Sequence, residues 1–219
     1  GTPRHFRSQR FLDWPETSWG WRQLKNRAGA GDLFDMTIHR IDYGLDLMGD
    51  ITALTGAVAQ YCPRDKFPDG STSPKSEVDD WSALICLFSR GGVGVLEGTT
   101  VAKGYHFEGF GHDWAEINGS EGSAVYQLKE PNTILLGKQG ESLKKVEVPK
   151  EFLVWPGSPR DPSQGVPSTV FRYDLVYELT SAIVEGRDAN PGFDAGAKAQ
   201  AVADAVLDHL KREPGSHRR

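Results

Sequence analysis

Between Asp80 and Val148 the chain is a succession of short runs rich in β-branched and aromatic residues. The runs are Asp80–Ser89, Val93–Val101, Asp113–Asn118, Ser123–Leu128, Thr133–Leu136 and Lys144–Val148, with Ile51–Tyr61 ahead of them. Arg90-Gly91-Gly92, Asn118-Gly119-Ser120-Glu121-Gly122 and Gly137–Gly140 separate several of them. Runs of strand length joined by tight glycine turns pair with their neighbours as hairpins, so the spacing predicts a large, mainly antiparallel sheet.

Helical patterns flank this block. Phe34, Ile38, Ile41, Leu45 and Met48 step by 4, 3, 4 and 3 along one helical face, with Asp32 placed to cap the start and Gly49 to end it. Near the end, Phe171, Leu175, Leu179 and Ile183 share a face that stops at Gly186. Asp194 then caps a helix with Ala199, Val202, Val206 and Leu210 at core spacing. The stretch 62–78 reads as a polar surface loop, and four prolines in 156–168 exclude regular structure there. Residues 3–12 read as a strand or extended arm.

Helix, sheet, then two helices is the order of an α+β fold, with helices packed on one face of the sheet and the other face open for self-association. A single domain over 1–219 is expected, divided into an extended leading segment (1–30), the first helix (31–49), the sheet (50–150), a proline-rich loop (151–168) and the closing helices (169–213).

Composition narrows the function. The chain has 219 residues, 38% of them hydrophobic and 25% charged, which excludes wholesale disorder. No apolar run approaches the roughly 20 residues of a membrane span, and no secretory leader is visible. The net charge of −5 argues against a general nucleic-acid binder. Both ends are basic and the body between them is acidic. Cys62 and Cys86 form neither a disulfide framework nor a zinc site, so two free thiols in a cytoplasmic protein are expected. The opening at Gly1 rather than Met suggests a fragment or a processed form.

Beside the apolar stripe of the first helix run Asp35, His39, Asp42 and Asp46. A carboxylate and an imidazole four residues apart share one side of a helix. Such a pair supplies a general acid/base near neutral pH, or else a simple surface ion pair. Trp14, Trp19 and Trp21 crowd the segment before it. No distinctive metal-ligand spacing accompanies the pair, and no metal is expected.

The run Gly31-Asp32-Leu33-Phe34-Asp35-Met36-Thr37-Ile38-His39-Arg40-Ile41-Asp42 resembles the G-x-x-x-D-x-G-x-H-x-x-D helix of the Gfo/Idh/MocA oxidoreductases. Trp21-Arg22, the hairpin Glu116-Ile117-Asn118-Gly119-Ser120-Glu121-Gly122-Ser123 and the helix Tyr173–Glu185 with Gly186, Pro191 and Asp194 are similar to further family features in the same order. The resemblance implies an NAD(P)-dependent dehydrogenase of sugars, inositols or related polyols. His39 becomes its acid/base and Asp35 the orienter and substrate ligand, while Asp42 is structural. Trp19, Arg22, Lys103, Tyr105 and His106 are the further candidate substrate contacts. Two departures stand out: Ala30 breaks the glycine run, and Thr37 replaces a glycine and would narrow the pocket. The family's Rossmann domain is missing from the pattern, since Gly91-Gly92-Val93-Gly94 lies between two strands and reads as a hairpin turn. NAD or NADP would therefore be bound mainly by a domain outside this sequence, and the chain alone would be inactive. The alternatives are a stand-alone ligand-binding or oligomerisation domain without redox activity, and a cofactor-independent lyase or hydrolase using Asp35 and His39.

Overall fold

The computed structural model describes residues 1–106, 111–161 and 167–212, with side chains described from 172 to 210 in the last segment. It begins with strand β1 (Pro3–Phe11), a single 3-10 turn (Trp21–Gln23) and the one-turn helix α1 (Lys25–Ala28). A wide turn (Leu33–Thr37) then leads into α2 (Ile38–Met48). Seven strands follow: β2 (Ile51–Ala59), β3 (Trp81–Phe88), β4 (Val93–Thr99), β5 (His112–Gly119), β6 (Gly122–Gln127), β7 (Thr133–Lys138) and β8 (Lys144–Glu147). Helices α3 (Pro167–Glu185) and α4 (Phe193–Arg212) close the chain.

The strands form one eight-stranded sheet in the order β2-β3-β4-β1-β5-β6-β7-β8. Every neighbouring pair is antiparallel except β1 with β4, which run parallel with Phe6 opposite Gly94. A parallel pair requires a crossover, and here the chain between the two strands supplies it by way of α2, β2 and β3. The leading segment is thus the sheet's central strand. The α+β class and the mainly antiparallel sheet agree with the hairpin spacing.

Helices α2 and α4 cover one face. The core between them and the sheet contains Phe6, Leu33, Ile41, Met48, Leu84, Phe88, Leu96, Ala203 and Val206. Removing a buried side chain such as Ile41 from a core like this costs about 2–5 kcal/mol. Gly44 lets α2 approach the sheet, because a Cβ there would meet the Phe88 ring at 3.2 Å. The opposite face carries Ile85, Leu87, Val93 and Val95 side by side across β3 and β4.

Local expectations are corrected at several points. Asp32 has helical backbone angles and makes no capping bond; Asp79 performs that role, accepting the N–H groups of Gly31 and Leu33 at 2.8 Å each. Asp194 lies inside the first turn of α4, where its charge favours the helix dipole, rather than ahead of the helix. The loop 62–78 lies at the surface, as its polarity suggested, but is pinned by the buried Cys62, Arg64, Ser73, Ser76 and Val78. Along α3 the expected core stripe is largely exposed, with Leu175 at 57% and Ile183 at 70%; Phe171 lies outside the described side chains. Gly49 and Gly186 end their helices at positive φ, as the sequence suggested. Both cysteines are buried free thiols.

Candidate active site

The site grows from the start of the α2 segment. Leu33–Thr37 is a turn of π geometry, closed by the N–H of Ile38 reaching back to the carbonyl of Leu33. Single wide turns of this kind recur at functional sites. A buried triangle holds this one in place: Thr37 donates to Asp32 Oδ2 at 3.0 Å, Ser82 donates to the same oxygen at 2.8 Å, and the two hydroxyls lie 2.7 Å apart. Burial pushes the Asp32 carboxyl well above the usual carboxylate range, against the lowering effect of those two hydroxyls. Its other oxygen, Oδ1, is buried without a hydrogen-bond partner. Thr37 is fully buried in this triangle, so it does not narrow the pocket; it closes the support beneath it.

The wide turn presents Asp35 at the surface, where Arg22 Nε donates to its Oδ2 at 3.2 Å. Both groups are partly open to water, and an exposed pair of this kind contributes about 0–1 kcal/mol to stability. Its significance is therefore chemical: a carboxylate and a guanidinium converge where a hydroxyl group can meet both. The Arg22 guanidinium also stacks over the Trp21 ring, 4.6 Å from its centroid.

His39 lies further along the segment and makes no hydrogen bond to Asp35. A turn closed over five residues advances less per residue than an α-helical turn, so the two side chains line different depressions. Asp35 borders a small one of about 80 Å³ with Trp14, Trp21 and Arg22. His39 borders one of about 410 Å³ between α2 and the closing helices, with Asp42, Leu175, Leu179 and Phe193. His39 is exposed, yet desolvation by the surrounding protein and then the neighbouring Arg40 lower its pKa below the ordinary imidazole value. Asp35 and Asp42 oppose that shift. Burial raises the pKa of Asp42.

Trp19, Arg22 and His106 come together along a groove of about 410 Å³, joined by Asp13, Trp14 and Trp21. The indole N–H of Trp19 donates to Pro74 O at 2.7 Å, and its ring meets the edge of Phe67. Loop 62–78 thus braces Trp19, while its Arg64, Ser76 and Val78 border the Asp35 depression. Arg64 anchors that loop from a backbone φ of 41°, donating to Pro15 O at 2.6 Å and to the Thr100 hydroxyl at 3.2 Å. Lys103 and Tyr105 are set apart from the groove lining. Lys103 pairs with Asp13 at 3.5 Å and Glu16 at 3.4 Å, and Tyr105 packs edge-on to Phe11 and His112. Trp14, Asp13 and Arg64 were not anticipated as parts of the site. The cluster of tryptophans in the sequence was the one signal for Trp14; nothing in local spacing marked the other two.

Beneath α2, Asp113 is shared by two buried arginines, with Arg40 Nη1 at 3.0 Å and Arg10 Nη1 at 3.5 Å from its Oδ2. This ties the helix that carries His39 to β1 and β5. Among the described residues no group of three His, Cys, Asp or Glu side chains is arranged to hold a metal ion, and no helix is long and apolar enough to cross a membrane.

Comparison with known proteins places these features. Residues 1–125 match the family described as the GFO/IDH/MocA C-terminal domain. Levoglucosan dehydrogenase of Pseudarthrobacter phenanthrenivorans is 24% identical over 229 residues, spanning 95% of this chain and 57% of that protein. The solved structure of levoglucosan dehydrogenase in complex with NADH and L-sorbose is 26% identical with a TM-score of 0.78, over 97% of this chain and 57% of its own. An oxidoreductase domain protein from Kribbella flavida is also 26% identical with a TM-score of 0.78, over 97% of this chain and 58% of its own. The chain therefore spans little more than half the length of these relatives.

Proposed function

The chain belongs to the GFO/IDH/MocA family as its C-terminal domain, and from that premise we propose that it forms the substrate-binding half of an NAD- or NADP-dependent oxidoreductase acting on a sugar, inositol or related polyol. Support comes from the relatives named for levoglucosan oxidation and solved with NADH and L-sorbose. The observation that carries the reading is the pairing of Asp35 with Arg22 beside a tryptophan-lined groove, with His39 further along the same helical segment. Aromatic faces with a few convergent polar groups suit a carbohydrate ring.

In this reading Asp35 and Arg22 bind and orient substrate hydroxyls, and His39 accepts the proton of the reacting hydroxyl. A lowered imidazole pKa keeps His39 neutral and ready for that task at pH 7. Gly91 and Gly92 turn the hairpin between β3 and β4 instead of opening a helix, which supports the reading that the dinucleotide is held elsewhere. A nicotinamide carried by a separate nucleotide-binding domain supplies the hydride acceptor. Asp42 is structural. We place the protein in the cytoplasm and expect it to self-associate through the open sheet face.

The test is reconstitution. The chain alone is expected to oxidise neither levoglucosan nor L-sorbose with NAD or NADP, whereas a form joined to a nucleotide-binding domain turns over a sugar or polyol. Substituting His39→Ala in that longer form should reduce turnover well before nucleotide binding suffers. Full activity in the variant would remove His39 from the mechanism. Activity without nicotinamide would favour a lyase or hydrolase instead.

A further inference from the structure

We propose that the groove lined by Trp14, Trp19 and Trp21 is a second saccharide subsite, so that the substrate is a disaccharide and not a lone monosaccharide. The inference rests on the assignment of Asp35 to the reacting sugar.

The groove shares part of its lining with the Asp35 depression: Trp14, Trp21, Arg22 and Gln23 border both, so the two adjoin. The outer end, with Asp13, Ser18, Trp19 and His106, borders the groove alone. A sugar ring whose hydroxyl meets Asp35 and Arg22 leaves that outer end unfilled. A glycosidically linked second ring occupies it.

The chemistry of the outer end fits such a ring. A pyranose offers a patch of C–H groups on one face and hydroxyls around its edge. The first suits an indole face, and the second suits carboxylate, hydroxyl and imidazole groups. The Trp19 ring is fixed in advance, because its N–H is already bonded to Pro74 O and its side is braced by Phe67. Fixing a contact surface before binding lowers the cost of ordering it. Trp21 has one face under the Arg22 guanidinium, and its ring is 58% exposed. An exposed indole beside two half-buried ones leaves apolar surface in one groove that is costly to keep in water unless something covers it.

Calorimetric titration tests the proposal on the 219-residue chain. The hexoses are glucose, galactose and mannose; the disaccharides are maltose, cellobiose, lactose and melibiose. At least one disaccharide is expected to bind on the order of ten-fold more tightly than its component hexoses, the contribution of one stacked ring. Substituting Trp19→Ala should remove most of that advantage and weaken the hexose by a smaller factor, while Trp19→Phe should restore part of it. Circular dichroism confirms that both variants remain folded. Equal affinities for hexoses and disaccharides, with hexose binding lost in Asp35→Asn, overturn the subsite and leave the Asp35 assignment standing. Binding of no sugar of either size overturns both.

Discussion

Asp35 hydrogen-bonds Arg22 at 3.2 Å, and not the histidine four positions along its own helical segment. The carboxylate is thus oriented from outside the helix, by the 3-10 turn that also carries Trp21. Removing Arg22 should leave Asp35 free to turn while barely affecting the fold. Arg22→Ala is expected to change the unfolding free energy from urea titration by no more than about 1 kcal/mol. In the nucleotide-equipped enzyme it should raise KM for sugar on the order of ten-fold or more. A large loss of stability with unchanged KM would contradict this division of roles.

His39 sets a second expectation. Its pKa lies below the ordinary imidazole value because burial, then Arg40, disfavours the charged form. A base must be neutral, so activity is full above that pKa and falls as pH drops through it. The acid limb of the kcat/KM profile should therefore lie below about 6.5, and in His39→Ala that limb should disappear. An acid limb on the alkaline side of this value would show that another group takes the proton.

Asp32 bears on stability. Its folded-state pKa is raised, so the folded protein holds a proton that the unfolded chain releases from about pH 3.9 upward. The stabilisation linked to that proton is present below the unfolded pKa and is lost as pH rises through the folded one. In Asp32→Asn this dependence vanishes, so the Tm of the wild type relative to the variant should fall as pH is raised. A constant difference across a pH series would mean that Asp32 is charged in the fold.

The shared carboxylate under α2 predicts an asymmetry. Asp113→Asn leaves Arg10 and Arg40 buried with only a neutral group between them, and breaking a buried ion pair in this way costs about 3–5 kcal/mol. Arg40→Met removes one of two like charges and leaves Arg10 with the carboxylate, so it should cost less. Denaturant titration of the two variants compares them directly.

On the open face of the sheet, Ile85 is 56% exposed and Leu87 49% exposed, beside Val93 at 41%. A charge placed among them should abolish self-association. Ile85→Asp is expected to sediment as a monomer at a concentration where the wild type forms a larger species, with an unchanged circular dichroism spectrum. A monomeric wild type would dismiss this face as the contact.

The parts of this architecture that were legible in the sequence are those set by local periodicity. The stripe from Phe34 to Met48 gave α2, and the glycine turns gave the β3-β4, β5-β6 and β7-β8 hairpins. What escaped depends on contacts between distant segments. Asp79 caps a helix start far from it in the chain, and Arg64 is buried because Pro15 and Thr100 come to meet it. The wide turn at Asp35 is stabilised by Ser82 from β3, and no pattern within residues 31–49 encodes that. Gly98 was the one local hint: a Cβ there would collide with Thr37 and Asp32, so a glycine in mid-strand marked the close approach. The α3 stripe misled because the same spacing describes a helix packed on this domain and one awaiting a different surface.

The placement of β1 has a consequence for how the protein comes into being. The sheet consists of two meanders, β2-β3-β4 and β5-β6-β7-β8, and the hydrogen bonds of β1 are all that joins them. Each meander can assemble from neighbouring residues, but the seam cannot close until Pro3–Phe11 finds both Val93–Thr99 and His112–Gly119. During synthesis on the ribosome β1 emerges before either of its partners and must wait, its Phe6 uncovered, until β4 and β5 have followed it. A strand kept waiting in this way is open to capture by the wrong edge, so the yield of correctly folded protein depends on whatever shelters β1 until the seam closes.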